Sequence, residues 1–207
     1  MTMSETLPEG YRQIPERLNI AAELIDRIEE RGFGDRLAFV WDDGELSFAE
    51  FAVRVNKLAH GFAVNGIEKG MPVLVRMNNC HEFAEAVLAL IKVGALPVLQ
   101  NSLLGEEEVA YVLEHSDARA AVTLGNLAQP LVNLSAELPA GVFSARGAPV
   151  GTTAFESLID AASDVPYVTA DTAANEPAFF VYTSGTTGRP KGIVHAHRWV
   201  IALGDSN

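Results

Sequence analysis

The chain has 207 residues, 48% of them hydrophobic and 20% charged, a globular composition with enough apolar content for one sizeable core or two small ones. Its net charge of -12 and sequence pI near 4.8 exclude a nucleic-acid surface built on a broad basic field, so any anion site has to be local. A single cysteine, Cys80, excludes an internal disulfide and a cysteine cluster for zinc or iron-sulfur ligation, and it fits a reducing, cytoplasmic compartment.

Residues 1–18 are polar and mixed and are expected to form a flexible arm. Met1 to Gly10 carries Glu5, Pro8 and Glu9 and no apolar centre, so it does not read as a signal peptide. From Asn19, the positions Ile20, Ala21, Leu24, Ile25 and Ile28 recur at helical spacing, with Gly32 and Gly34 as stops. Leu37 to Trp41 is β-prone, and Asp42-Asp43-Gly44-Glu45 turns the chain into Leu46 as a hairpin. Ser47 with Glu50 three residues on predicts a capping box, followed by a helix whose inner face is Phe48, Phe51, Val55, Leu58, Ala59 and Phe62.

Pro72 to Met77 has the pattern of a buried strand, and Asn79 with Glu82 is expected to cap a helix over Phe83 to Val93 that Gly94 ends. The longest apolar run there, Ala86 to Ile91, stops at Lys92, far short of the ~20 residues a membrane span needs. Leu96 to Leu99 is the next strand, with Pro97 putting its pairing in question. Gly105 and Glu106 to Glu108 open a helix with acidic side chains at the positive end of its dipole, a solvated helix start in preference to a metal site. Its inner face is Val109, Val112 and Leu113, and Ala120 to Leu124 is a third core strand. Strands alternating with helices of about a dozen residues predict parallel pairing.

After Gly125 the pattern weakens. Val142-Phe143 reads as an edge strand, 147–153 as a loop, Phe155 to Ala162 as a helix, and Asp171 to Pro177 as a linker. The fold class is α/β: a layered parallel-sheet βαβ subdomain over 19–175, then the beginning of a second α/β subdomain over 176–207.

That second unit opens with the most informative stretch. An apolar run, Phe179-Phe180-Val181, feeds Tyr182-Thr183-Ser184-Gly185-Thr186-Thr187-Gly188-Arg189-Pro190-Lys191-Gly192. Glycines allow backbone N–H groups to close on phosphate oxygens, hydroxyls add donors, and a lysine supplies a point charge. A surface connection of similar composition is the plain alternative, but the order of residues argues for more. The P-loop NTPase pattern fails because Pro190 precedes Lys191 and Gly192 follows it; the hydrolase elbow fails because Tyr182 stands two before Ser184.

These eleven residues resemble the phosphate-binding signature of adenylate-forming enzymes: acyl- and aryl-CoA synthetases, adenylation domains of peptide synthetases, and luciferases. Leu46 to Phe51, and Leu90 to Ala95 running on to Asn101, are similar to two scaffold blocks of the same family. Ile14 to Ala21 and Asn101 to Leu104 most resemble benzoate- and 2-aminobenzoate-type CoA ligases. The resemblance implies that Thr183, Ser184, Gly185, Thr186, Thr187, Gly188 and Lys191 hold the β- and γ-phosphates of ATP. It implies ATP, magnesium and CoA as cofactors or co-substrates and a small carboxylic acid as partner. An acid-thiol ligase of the cytoplasm is the expected parent.

The family's adenine-binding strand, metal-binding glutamate, ribose-binding aspartate and carboxy-terminal lysine have no counterpart in these residues. No catalytic residue and no metal ligand is therefore assigned, and the chain reads as an amino-terminal fragment, inactive alone. The helix expected from Ala196 has no closing strand, which reads as an unfinished crossover unit. An inactive nucleotide-binding module and an adenylation domain that loads a carrier protein stay open. His195 and His197 are spaced to share a strand face, but with His60, His81 and His115 distant in sequence they read as polar residues capping the next helix rather than metal ligands. Cys80 beside His81 reads as a small buried thiol rather than a nucleophile.

Overall fold

The structure, a computed structural model, describes residues 12–183 and 189–204. Ile20 and Ala21 lead into a short π-helical segment, Ala22–Asp26, and the hairpin follows as β1 (Leu37–Trp41) and β2 (Gly44–Ser47), paired antiparallel. The capping box forms as expected. The Ser47 hydroxyl accepts from Glu50 N at 3.2 Å and the Glu50 carboxylate accepts from Ser47 N at 2.8 Å, opening α1 (Phe48–Val64). Phe51, Val55, Leu58, Ala59 and Phe62 are buried along that helix.

The remaining elements alternate: β3 (Pro72–Arg76), α2 (His81–Val93), β4 (Leu96–Leu99), α3 (Glu106–Ser116), β5 (Ala120–Leu124), α4 (Gln129–Asn133), β6 (Val142–Ala145), β7 (Thr153–Ala154) and α5 (Phe155–Ala161). The chain then enters β8 (Pro177–Thr183), β9 (Lys191–Ala196) and α6 (Trp199–Gly204). Seven of the strands make one sheet in the order β7-β6-β5-β3-β4-β8-β9, parallel throughout except for the β8–β9 pair. Alternation along the strands divides the core. Val73, Val75 and Val122 pack with α1, α2 and α5, and Leu74, Val98 and Ala121 pack with α3 and α4. Gly61 lets α1 approach α5, because a Cβ there would stand 2.6 Å from Leu158 Cβ.

Several expectations change. The unit after 176 is a hairpin, not an unfinished strand-loop-helix crossover: β8 and β9 pair antiparallel, because the β-branched pair Ile193-Val194 continues as strand and the helix starts only at Trp199. The expected division at 175/176 falls just before β8, which hydrogen-bonds to β4. Pro97 does not disturb β4. Leu96 N donates to Met71 O, just before β3, and Gln100 N to Val75 O within it, so the proline nitrogen lies toward β8, whose register begins only at Val98.

β6 is not an edge, as the two residues of β7 pair outside it. Asn79 does not cap α2; Cys80 occupies the N-cap, and Glu82 is drawn away by Arg146 at 2.6 and 3.0 Å. The described end of the expected arm is tied down, with Leu18 N donating to Thr172 O, Thr172 Oγ1 to Leu18 O, and Arg17 pairing with Asp171. The expected linker is the partner that ties it.

Candidate functional site

The site is built where parallel strands end. The carboxyl ends of β3, β4 and β8 lie on one side of the sheet, the position at which open α/β sheets take ligands. A cleft of about 510 Å³ opens there, with Asn78, Asn101, Ser102, Val181 and Tyr182 among the residues lining it. Ser102 Oγ donates to Asn78 Oδ1 at 2.5 Å across its floor.

The hairpin register places two of the expected phosphate-binding residues together. Thr183, the last residue of β8, stands directly opposite Lys191, the first of β9, and both are exposed. Opposed residues of an antiparallel pair share a face, so the hydroxyl and the ammonium point to the same side. Ser184, Gly185, Thr186, Thr187 and Gly188 lie outside the described residues. Gly192 has a packing reason to be glycine: a Cβ would sit 3.0 Å from the Tyr182 ring, its partner in the register.

Residues that sequence reasoning passed over hold this end of the sheet. Arg76 is buried and donates to the carbonyls of Leu127, Ser102 and Leu104 at 3.0, 2.6 and 2.9 Å, fastening the segments that follow β4 and β5. Its signal was only a charge at the end of an apolar strand. Beneath the hairpin, the Tyr182 hydroxyl shares a 2.6 Å hydrogen bond with His115 Nδ1, and Tyr111 stacks on His115. Burial, then the neighbouring Tyr111, hold the Tyr182 phenol above its ordinary pKa, so it keeps its proton. His115 was read as one of several scattered histidines; its spacing of four from Tyr111 on a helix was the available signal.

The histidines near the loop have separate structural roles. His195 stacks on Phe179 with ring centroids 4.7 Å apart. His197 lies beyond the end of β9, is 2% exposed, and its Nδ1 accepts from Ile20 N at 3.2 Å. Its side chain thus anchors the amino-terminal segment and does not cap α6. Burial depresses its pKa to about 4, partly offset by Glu176, so the ring is neutral. Cys80 lines a separate cleft with Trp41, His81 and Arg146, and burial together with its hydrogen bond to Glu82 pushes the thiol up to about 11, far from a thiolate nucleophile. Among the described residues no group of three or more His, Cys, Asp or Glu could hold a metal ion. Nor is any described helix long and apolar enough to cross a membrane.

Comparison with known proteins bears on the whole chain. Residues 27–206 match the AMP-binding enzyme family model. Benzoate--CoA ligase of Thauera aromatica is 31% identical over 186 residues, covering 89% of this chain and 35% of the ligase. A linear gramicidin synthase of Brevibacillus parabrevis is 29% identical, with 91% of this chain and 2% of the synthase covered. Among solved structures, a benzoate CoA ligase from Burkholderia xenovorans LB400 superposes with a TM-score of 0.74 at 30% identity, over 87% of this chain and 35% of that one. The chain thus spans about a third of the length of the benzoate ligases it matches. With that match running through nearly the whole chain, the protein belongs to the AMP-binding enzyme family.

Proposed function

We propose that this chain is the amino-terminal part of an ATP-dependent, AMP-forming acyl- or aryl-CoA ligase of the cytoplasm. A carboxylate oxygen attacks the α-phosphorus of ATP and pyrophosphate leaves. The CoA sulfur then attacks the acyl carbon of the adenylate, AMP departs, and the thiol proton is lost to solvent or base. The observation that carries this reading is the Thr183–Lys191 pair at the carboxyl ends of the strands, in a chain of this family. Charge builds on the departing pyrophosphate, and a positioned ammonium with hydroxyl and backbone donors stabilises it more than water does. Thr183 and Lys191, with Ser184, Gly185, Thr186, Thr187 and Gly188, are the groups proposed to do this. Magnesium would enter with the nucleotide and share its charge.

The identity to a benzoate ligase favours an aromatic acid. The match to a gramicidin synthase supports a second reading, in which a carrier thiol replaces CoA as acceptor. These 207 residues, spanning about a third of the matched ligases, are proposed not to complete the reaction alone. Acid-dependent ATP–pyrophosphate exchange by the full-length protein, across benzoate, hydroxybenzoates, 2-aminobenzoate and fatty acids, is the test. Exchange with one acid class and thioester formation with CoA are expected. Bound ATP with no exchange for any acid would overturn the reading, and acylation of a carrier protein but not of CoA would select the second.

A further inference from the structure

We infer that Tyr111 and His115 of α3 are positioning residues for the nucleotide: they hold Tyr182 and Arg189, which flank the Thr183–Lys191 pair, and so set the reach of Thr183 and Lys191. The inference rests on the phosphate-binding reading above. On the β8 side, the residue held is Tyr182, immediately before Thr183. Its hydroxyl meets His115 Nδ1 at 2.6 Å, its ring stands edge-on to the His115 ring at 5.8 Å, and Gly192 closes over it from β9. On the β9 side, the residue held is Arg189, two before Lys191, whose guanidinium lies over the Tyr111 ring at 5.2 Å from the centroid. Tyr111 and His115 themselves stack at 5.4 Å, so one helical turn carries both grips.

The physical consequence follows from where these contacts fall. Tyr182 is buried and opposite Gly192 in the register, so its side chain leaves the other face of the strand from Thr183 and Lys191. It acts on those two residues through the backbone on which they stand. Side chains whose backbone is already fixed lose less conformational freedom on binding, and that saving appears as affinity for the ligand they hold. Tyr182 belongs to the core cluster with Val109, Val112 and Leu113, and Tyr111 packs against it, so the contacts that can be removed without opening the core are the Tyr182 hydroxyl and the His115 ring. Because Thr183 and Lys191 are the groups set for phosphate, the effect should be selective for ATP over the acid.

The test is acid-dependent pyrophosphate exchange in the full-length protein. Tyr182→Phe, which keeps the ring and removes only the hydroxyl, and His115→Ala are each expected to raise the KM for ATP roughly 3- to 10-fold, the range of one hydrogen bond. The KM for the acid should not change, and the thermal midpoint of Tyr182→Phe should fall by no more than one lost hydrogen bond accounts for. His115→Gln, which can still bond the hydroxyl, should recover most of the loss, and the Tyr182→Phe/His115→Ala double variant should be no worse than the poorer single. An unchanged ATP KM in both single variants while Lys191→Ala is impaired would overturn the grip and leave the phosphate site standing. An equal rise in both KM values, or a loss that only tracks thermal stability, would also overturn it. An unimpaired Lys191→Ala would remove the phosphate reading and the grip together.

Discussion

The middle of the sheet and its β8–β9 end are built on opposite terms. In β3 and β5 nearly every side chain is buried on both faces, and each strand pairs on both sides. At the other end β9 lies on the sheet edge with Ile193 48% and Val194 53% exposed, beside the exposed Thr183 and Lys191. The middle answers to burial, where every methylene removed costs stability. The hairpin holds polar groups at solvent, where a side chain can change without a core penalty and can be chosen for what it binds. Substitutions in the first region should therefore appear as lost stability, and in the second as lost chemistry.

The largest effect is expected from the buried charges beneath the middle of the sheet. Glu85 is fully buried and takes two hydrogen bonds from Arg54, at 2.7 and 3.1 Å. Glu85→Ala leaves that guanidinium without its partner, and a loss of about 3–5 kcal/mol in denaturant unfolding is expected. Near-normal stability would mean the network is dispensable.

Acid should act next, through a buried group just past the hairpin that answers to burial as the middle of the sheet does. His197 has a pKa near 4, below the ordinary value of 6.5. Between those values the unfolded chain takes up a proton that the folded one refuses, so stability is intact above pH 6.5 and falls as pH drops to about 4. The loss should reach about 3 kcal/mol and be absent in His197→Asn, measured by thermal unfolding across that window. A pH profile identical in the two proteins would remove His197 from the account.

Lys191→Ala is expected to lower acid-dependent exchange by about 100-fold, near 2.7 kcal/mol, with an unchanged thermal midpoint. A midpoint that fell with the activity would erase the distinction between the regions. The smallest effect belongs to the helix cap: Ser47→Ala, losing the bond from Glu50 N, should cost about 1 kcal/mol of stability and leave nucleotide affinity alone.

What the sequence by itself determined was whatever depends on neighbours along the chain. The Ser47–Glu50 box, the inner face of α1, the core strands β3, β4 and β5 and the order of Thr183 to Lys191 all rest on spacings of two to four residues, and all were legible. Only the tertiary structure decided the partners from afar. Lys92, which merely ended an apolar run, is 1% exposed and salt-bridged to Asp26; Arg76 fastens three distant carbonyls; Asp171 to Pro177 pairs with the amino-terminal segment. The same holds at the site. That Lys191 faces Thr183, and that Tyr182 meets His115 from 67 positions away, depends on a register and a sheet order that no local pattern encodes.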